Sequence, residues 1–473
     1  MGHHIIKEVS QEKFVFTGRA KMVAIGLFLI GAILAGVGAM DVKNNWDSIG
    51  QHATEDVHTE EAAEAHEDAG HNDHHSTLAD ANQHAEEGHT ETAHGEEAHG
   101  DHHAPTWMNR VWANLLMNSY YFWLFSVAAI FFIAVNYVAN AGWAVMLKRV
   151  MEAQSAYLLI GSILLVGIIL GAKDTLYHWV QYFHSAAAGD ESAAGYDAIL
   201  ESKAWLLNNT SIFFFIPFVL IVWILIRMKL RRNSVAEDEN KGLSMFKNST
   251  RWSAGFIFFF AFSFSALSWL IIMSIDAHWY STMFSVYNFA ISFVTGLSVM
   301  MVIVQYLKAK GYMEMVSDEV VHDLGKFMFA FCIFWGYIFL SQWLLIWYTN
   351  LPEETVYFAA RLEGGYKTLF AVNIFMCFLA PFLVLMMRNA KRSPKVLLTA
   401  AAVILIGHWV DTYLLIMPGT VGDKAGIGML EIGTTMAFAG IFIYVVLNSL
   451  SKANMYPINH PYVLESANHD VGP

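Results

Sequence analysis

The chain has 473 residues, 56% of them hydrophobic and only 15% charged, with positive mean hydropathy. That composition belongs to a protein with many membrane spans, so length gives no count of soluble domains. The net charge of −13 comes from one segment. Residues 41–106 hold 17 Asp and Glu against one Lys, and the remainder of the chain carries about +3.

Ten apolar runs follow one another, at roughly 20–40, 113–146, 154–172, 206–227, 252–275, 282–307, 325–349, 367–387, 396–417 and 427–449. Each can cross about 30 Å of hydrocarbon. The fold class is therefore an all-α polytopic membrane protein. The second run is long, which predicts an interfacial turn around Trp107, Trp112 and Trp123. With a cytoplasmic N-terminus, the N-tail, the even-numbered loops and the C-tail hold 21 Lys and Arg against 7 on the opposite side. This bias follows the positive-inside rule and places both termini in the cytoplasm. The apolar core of span 1 is long for a cleaved signal peptide, and cleavage would leave the rest of the topology unchanged.

The first exported loop, 41–106, carries twelve His among Glu, Ala, Gly and Asp. It cannot bury a core and is predicted to be disordered or at best transiently helical. Imidazole titrates near neutral pH and ligates zinc or copper, so one reading is a metal or proton buffer. The other is a solvated low-complexity insertion; the irregular spacing defines no ligand set.

Most of the remaining acid and imidazole maps to the exported rim. Span 3 ends in Asp174 and His178, one turn apart if the helix continues. Spans 5 and 6 are joined by a short connection holding Asp276, His278 and Trp279 at the interface. Span 9 carries His408 and Asp411, spaced i, i+3 on one helical face inside an apolar run. Glu431 comes in with span 10 at a similar depth. Ionisable groups in lipid-buried helices are costly, and a carboxylate beside an imidazole suits proton relay or hydrogen bonding to a quinone headgroup. Deeper polar residues, among them Tyr287, Asn288, Ser292, Thr295, Gln342 and Asn373, read as interhelical hydrogen bonds or the lining of a hydrated path. On the inner side His322 and Asp323, followed by Lys326, open span 7 and read as a helix cap or a proton entry point.

Other chemistry is disfavoured. Cys332 and Cys377 lie in apolar runs, make neither a disulfide framework nor a metal motif, and read as small core residues. An iron–sulfur cluster needs about four ligands. A b-type haem needs two facing His, and only His408 is deep. Phosphate-binding, dinucleotide and GxSxG motifs are absent.

The segments SWLIIMSIDAHWYSTMFSVY, HDLGKFMFAFCIFWGYIFLSQWLLIWYTNLPEET and GHWVDTYLLIMP resemble the NrfD/polysulfide-reductase-type membrane subunits. More closely, they resemble those of bacterial alternative complex III, a quinol:electron-acceptor oxidoreductase, and within it the second, F-type subunit. The likeness covers about 107–449. It implies two four-helix bundles, 107–275 and 276–417. These are flanked by a first helix within 1–40 and by a last helix and tail within 418–473; the loop 41–106 lies outside. It implies an inner-membrane subunit of a respiratory electron-transport complex, binding menaquinol or ubiquinol or translocating protons. The implied partners are a second NrfD-like subunit, an iron–sulfur subunit, multihaem and monohaem cytochrome c subunits, and a terminal oxidase. The site candidates are then His408, Asp411, Asp174, His178 and Glu431 for proton relay or quinone contact, with Asp276, His278 and Trp279 at the quinone rim. The chain itself offers no haem, iron–sulfur or metal ligand set. Two rivals remain open: a divalent-metal transporter served by the His-rich loop, and a structural paralogue without a working quinone site.

Overall fold

A computed structural model describes residues 12–49 and 105–469, apart from 187, 192, 194, 241 and 363. The His-rich stretch 50–104 lies outside the described residues. Hydrocarbon offers no partner for backbone N–H and C=O groups, so an apolar chain must satisfy them within helices. The structure is accordingly all-helical. Among the described residues, ten helices are long and apolar enough to cross a membrane: Gly18–Asn44, Trp107–Val138, Val145–Leu176, Ser211–Glu239, Ser244–Ile271, Phe284–Ala309, Asp318–Thr349, Tyr366–Leu385, Pro394–Lys424 and Met429–Leu450. They are spans 1 to 10 below.

Spans 2–5 close one four-helix bundle and spans 6–9 a second. Span 2 packs against spans 6 and 9 where the bundles meet, and spans 1 and 10 pair along their length beside span 2. Both tails lie on one face, where Lys13 bridges Asn454 and the Met455 N–H donates to the Glu12 carbonyl at 2.8 Å. We call this the tail face and its opposite the distal face.

The first bundle has an aromatic centre. Trp123 stacks on Trp223 (5.9 Å, 9°), and Trp223 stacks on Phe264 (6.4 Å, 11°). Their indole N–H groups donate to Ser162 and Ser263, both at 3.1 Å. Trp123 is therefore a core residue with no exposed surface, not part of an interfacial turn. Span 2 is one continuous helix from Trp107 to Val138.

Spans 3 and 4 also run further toward the tail face than hydropathy predicts. Their extensions carry charges that pair with each other: Lys148 with Glu237 at 2.9 Å, Arg149 with Asp238 at 2.5 Å, and Arg231 with Glu152. The apolar signal stops where these ions begin. Span 4 runs on unbroken to Glu239, and span 3 carries its charges on a separate turn of helix, Lys148–Gln154, set off at Ser155 and Ala156.

Two spans contain a widened π turn, Ser211–Phe215 in span 4 and Phe375–Leu379 in span 8. Each lies just before a proline, Pro217 and Pro381. A proline ring clashes with the carbonyl four residues earlier, here Phe213 and Cys377, and the extra residue in the turn relieves that clash. Of the two turns, the one in span 8 borders the site described below.

Spans 1 and 10 approach through glycines. A Cβ on Gly433 would lie 2.3 Å from the Ala35 nitrogen, and one on Gly31 would lie 2.4 Å from the Ala437 nitrogen. Helix association in lipid relies on such small-residue contacts. Gly433→Val is expected to separate span 1 from span 10 and cost at least ~2 kcal/mol, by the overpacking rule. Gly26→Val, where an added Cβ meets nothing within 4 Å, serves as the neutral control. Thermal unfolding in detergent compares the two.

Candidate functional site

The second bundle encloses one carboxylate. Asp411 is 2% exposed and His408 0%. Ten residues separate Asp411 from Val421 at the distal end of the span 9 α-helix, so it lies about 15 Å down that helix. An anion at that depth is costly unless hydrogen bonds replace its hydration. Asp411 has four such partners. Its Oδ1 accepts from Tyr287 Oη at 2.5 Å and Asn373 Nδ2 at 3.0 Å. Its Oδ2 accepts from Trp335 Nε1 at 3.0 Å and lies 3.2 Å from His408 Nδ1. Tyr287, Trp335 and Asn373 come from spans 6, 7 and 8, and His408 from span 9, so every helix of the bundle supplies one group.

A second contact layer involves Cys377. Its thiol donates to Asn373 Oδ1 at 2.9 Å, which leaves the Asn373 amide nitrogen for Asp411. The sulfur also lies 3.6 Å from His408 Nδ1. The π turn after Asn373 sets this position, and Cys377 is fully buried. Cys377, His408 and Asp411 are the residues here that could hold a metal ion. Cys377 is thus more than the packing residue the sequence predicts; Cys332 is buried and free.

A cavity of about 30 Å³ adjoins the carboxylate, lined in part by Tyr287, Gln342, Asn373, Asp411, Tyr357 and Arg361. A water needs roughly 10–15 Å³ measured this way, so the space suits about two waters. A short rim helix, Pro352–Leu362, closes its distal side with Tyr357, Phe358 and Arg361 turned inward. Arg361 is anchored by a backbone defect. Pro418 has no N–H to give the Leu414 carbonyl, and Arg361 Nε donates to that carbonyl instead, at 2.9 Å. Its Nη2 pairs with Asp276 Oδ2 at 3.0 Å. The guanidinium lies 3.4 Å from the Tyr357 ring centroid, and Tyr357 stacks on Trp279 at 3.8 Å.

The other sequence candidates go elsewhere. Span 3 stops at Leu176, and Tyr177 has extended backbone (φ −114°, ψ 101°), so Asp174 and His178 are not on one continuing helix. The Tyr177 hydroxyl, held on the Ile271 carbonyl at 2.9 Å, fixes that break. Asp174 is an exposed partner of Lys173 at 2.6 Å, and His178 starts the next short helix. Glu431 is fully buried but belongs to the span 2–span 10 contact. It accepts from Arg110 Nε at 2.9 Å and Asn114 Nδ2 at 3.0 Å, and reaches back to the Gly428 N–H at 2.8 Å. Asp276 serves Arg361. His278 is exposed and pairs with Asp197 at 2.5 Å. Burial raises the Asp197 carboxyl, but the Leu200 N–H and His278 outweigh it and hold the group below its usual range. Span 7 is capped by Ser317, whose hydroxyl accepts from the Val320 N–H, rather than by Asp323, which pairs with Lys326 and His469.

The tail face has its own buried cluster. Arg149 bridges Glu152 and Asp238, and Asp238 also accepts the Ile458 N–H of the C-tail at 3.0 Å. His460 lies against Tyr137, Phe246 and Tyr462. Burial first, then Lys148, hold its imidazole far down, at about 2; Glu152 pulls the other way and Arg149 adds the smallest push down.

No family model matches the chain, and no curated protein matches it. Fold and site define a polytopic all-α membrane protein with one carboxylate enclosed at the centre of its second bundle.

Two outcomes follow from these contacts. His460 stays neutral in the folded chain but takes up a proton below about 6.5 once unfolded, so its stabilisation is complete above that pH and shrinks as pH falls. The loss at pH 5 is about 2 kcal/mol. Melting temperatures between pH 7.5 and 5 should fall, and His460→Phe should flatten that part of the profile. Separately, Arg361→Met and Asp276→Asn are expected to be non-additive, with a coupling of at least ~1 kcal/mol in a double-mutant thermal-stability cycle.

Proposed function

We propose that this chain is an inner-membrane subunit of a bacterial respiratory quinol-oxidising complex, of the NrfD-like kind found in alternative complex III. In this reading its own task is proton handling at Asp411. The resemblance of three segments around spans 5–6, 7 and 9 supports the family. The observation that carries the proton reading is the pairing of a buried, four-partnered carboxylate with a cavity sized for water. A proton can arrive or leave through Tyr287 and the water space, while the neutral donors stabilise the anion left behind.

Volume separates the two tasks the site candidates could perform. About 30 Å³ beside Asp411 does not admit a quinone ring, since ligand pockets run to roughly 300–1,000 Å³. A cavity of about 210 Å³ at the distal rim of the first bundle is a better match for a headgroup. It is lined by Trp269, Met273, Trp279 and Tyr280 among others, and opens beside a wider cleft of about 800 Å³ at Trp205 and Phe214. The indole N–H groups of Trp269 and Trp279 are buried without an acceptor among the described residues, and the cavity wall itself is apolar, which suits a quinone ring. Menaquinol or ubiquinol would bind there, with Trp279 as the contact and Asp276 and His278 as structural neighbours.

A seam of polar residues supports proton supply from the tail face. Gln154 Nε2 donates to the carbonyls of Phe125 and Gly296, both at 3.0 Å, and its Oε1 has no partner among the described residues. Thr295, Ser292 and Asn288 follow along span 6, and the Tyr120 hydroxyl donates to Asn288 at 2.9 Å. Positive-inside counting makes the tail face cytoplasmic and the distal face the side of release. Electrons would travel through partners: an iron–sulfur subunit and c-type cytochromes.

The test is Asp411→Asn in the assembled complex in proteoliposomes, with assembly checked by haem content. Protons released per quinol oxidised are expected to fall at least tenfold, with partial recovery in Asp411→Glu. Wild-type proton release and quinol oxidation in Asp411→Asn would remove the reading.

A further inference from the structure

We propose that Cys377, His408 and Asp411 together bind a thiophilic divalent cation, zinc being the physiological class. The claim goes beyond the proton reading and does not depend on it.

The geometry is already close to that of a coordination site. Zinc binds sulfur at about 2.3 Å and nitrogen or oxygen at about 2.0–2.1 Å, so tetrahedral ligands stand about 3.6 Å apart for a sulfur–nitrogen edge and about 3.3 Å for a nitrogen–oxygen edge. The observed separations are 3.6 Å from Cys377 Sγ to His408 Nδ1 and 3.2 Å from Nδ1 to Asp411 Oδ2. The three ligand atoms all lie within 4.8 Å of one another. The Cys377–His408 and His408–Asp411 edges thus both match a single tetrahedral centre.

The surroundings fit as well. Metal-bound carboxylates are usually held by a further layer of donors that fixes their orientation. Tyr287 and Asn373 hold the non-ligating oxygen of Asp411, and Trp335 donates to the other. Three protein ligands leave one open position. The water-sized cavity lined by Asn373 and Asp411 adjoins the carboxylate. Charge is balanced too: a dication with one thiolate and one carboxylate is neutral overall, the state that costs least in a low-dielectric bundle. Loading displaces the thiol proton of Cys377 and any proton on His408 Nδ1 or Asp411, so cation and protons compete for the same three groups. No electron changes hands.

The sulfur gives a specific readout. The chain has only two cysteines, and the His-rich stretch 50–104 has none, so it cannot produce a metal–thiolate signal. The full chain is purified without partners, with cobalt(II) supplied both during expression and afterwards, because the rim helix covers the cavity. The expected result is a sulfur-to-cobalt charge-transfer band in the near ultraviolet, at about one cobalt–thiolate per chain, retained in Cys332→Ser and displaced by zinc. It should be lost in Cys377→Ser and Cys377→Ala, and fall at least fivefold in His408→Gln. Size-exclusion profiles identify any variant that fails to fold, and Asp411→Asn then provides the second loss variant. Cobalt bound with only imidazole and carboxylate character overturns the proposal, as does a thiolate band that survives Cys377→Ser. The band reports metal–sulfur bonding directly, so this result is separate from whether Asp411 carries protons.

Discussion

A carboxylate in the middle of a helical bundle in hydrocarbon must recover from protein what it loses in hydration, and Asp411 recovers it from all four helices at once. Tyr287, Trp335, Asn373 and His408 each approach one of its two oxygens. No two of these helices can slide past each other without breaking a hydrogen bond to the same group. Lipid supplies little apolar force to hold spans together, so a shared polar centre fixes the register that packing alone would leave loose. The first bundle solves the same problem with an aromatic stack of Trp123, Trp223 and Phe264, and its ionisable groups are pushed to its ends. The two bundles share an architecture but differ in what their centres can do.

Prolines place much of the site. Pro381 forces the π turn that brings Cys377 against Asn373 and His408, and Pro418 releases the Leu414 carbonyl to which Arg361 is fastened. In an aqueous protein such backbone defects would be satisfied by water. In a membrane they must be repaired by side chains. Here the repair ties the rim helix to span 9 and puts a guanidinium over the cavity that leads to Asp411.

Hydropathy makes the ten spans legible because each must cover the same apolar thickness. The i, i+3 spacing likewise makes His408 and Asp411 legible as one face of span 9. Convergence between helices leaves no such local trace. Tyr287 and Asn373 stand out in the sequence only as polar residues in apolar runs, and Trp335 is indistinguishable from packing. Arg361 reads as one more charge for topology, because its role depends on a carbonyl freed by Pro418 more than fifty residues later. Asp174 and His178 mislead for the opposite reason: the spacing assumes a helix that the backbone at Tyr177 ends. Glu431 has the expected burial but the wrong neighbour, since span 10 turns it toward Arg110 on span 2.

The position of Arg361 constrains how the cavity can communicate with the distal face. Its side chain is 4% exposed and stands between the water-sized space and Asp276, whose side chain is 27% exposed. A fixed positive charge in a narrow passage repels a hydrated proton, so in the proposed function the distal route is closed while the Arg361–Asp276 pair is intact. Movement of Trp279 disturbs that pair, because Trp279 carries Tyr357 and Tyr357 carries the guanidinium. Trp279 also lines the larger rim cavity. In the proposed function, a headgroup seated there touches, through two stacked rings, the cation that seals the water space beside Asp411. On that reading, occupancy at the rim and proton release from the bundle centre are linked by side-chain motion alone, without rearranging the spans.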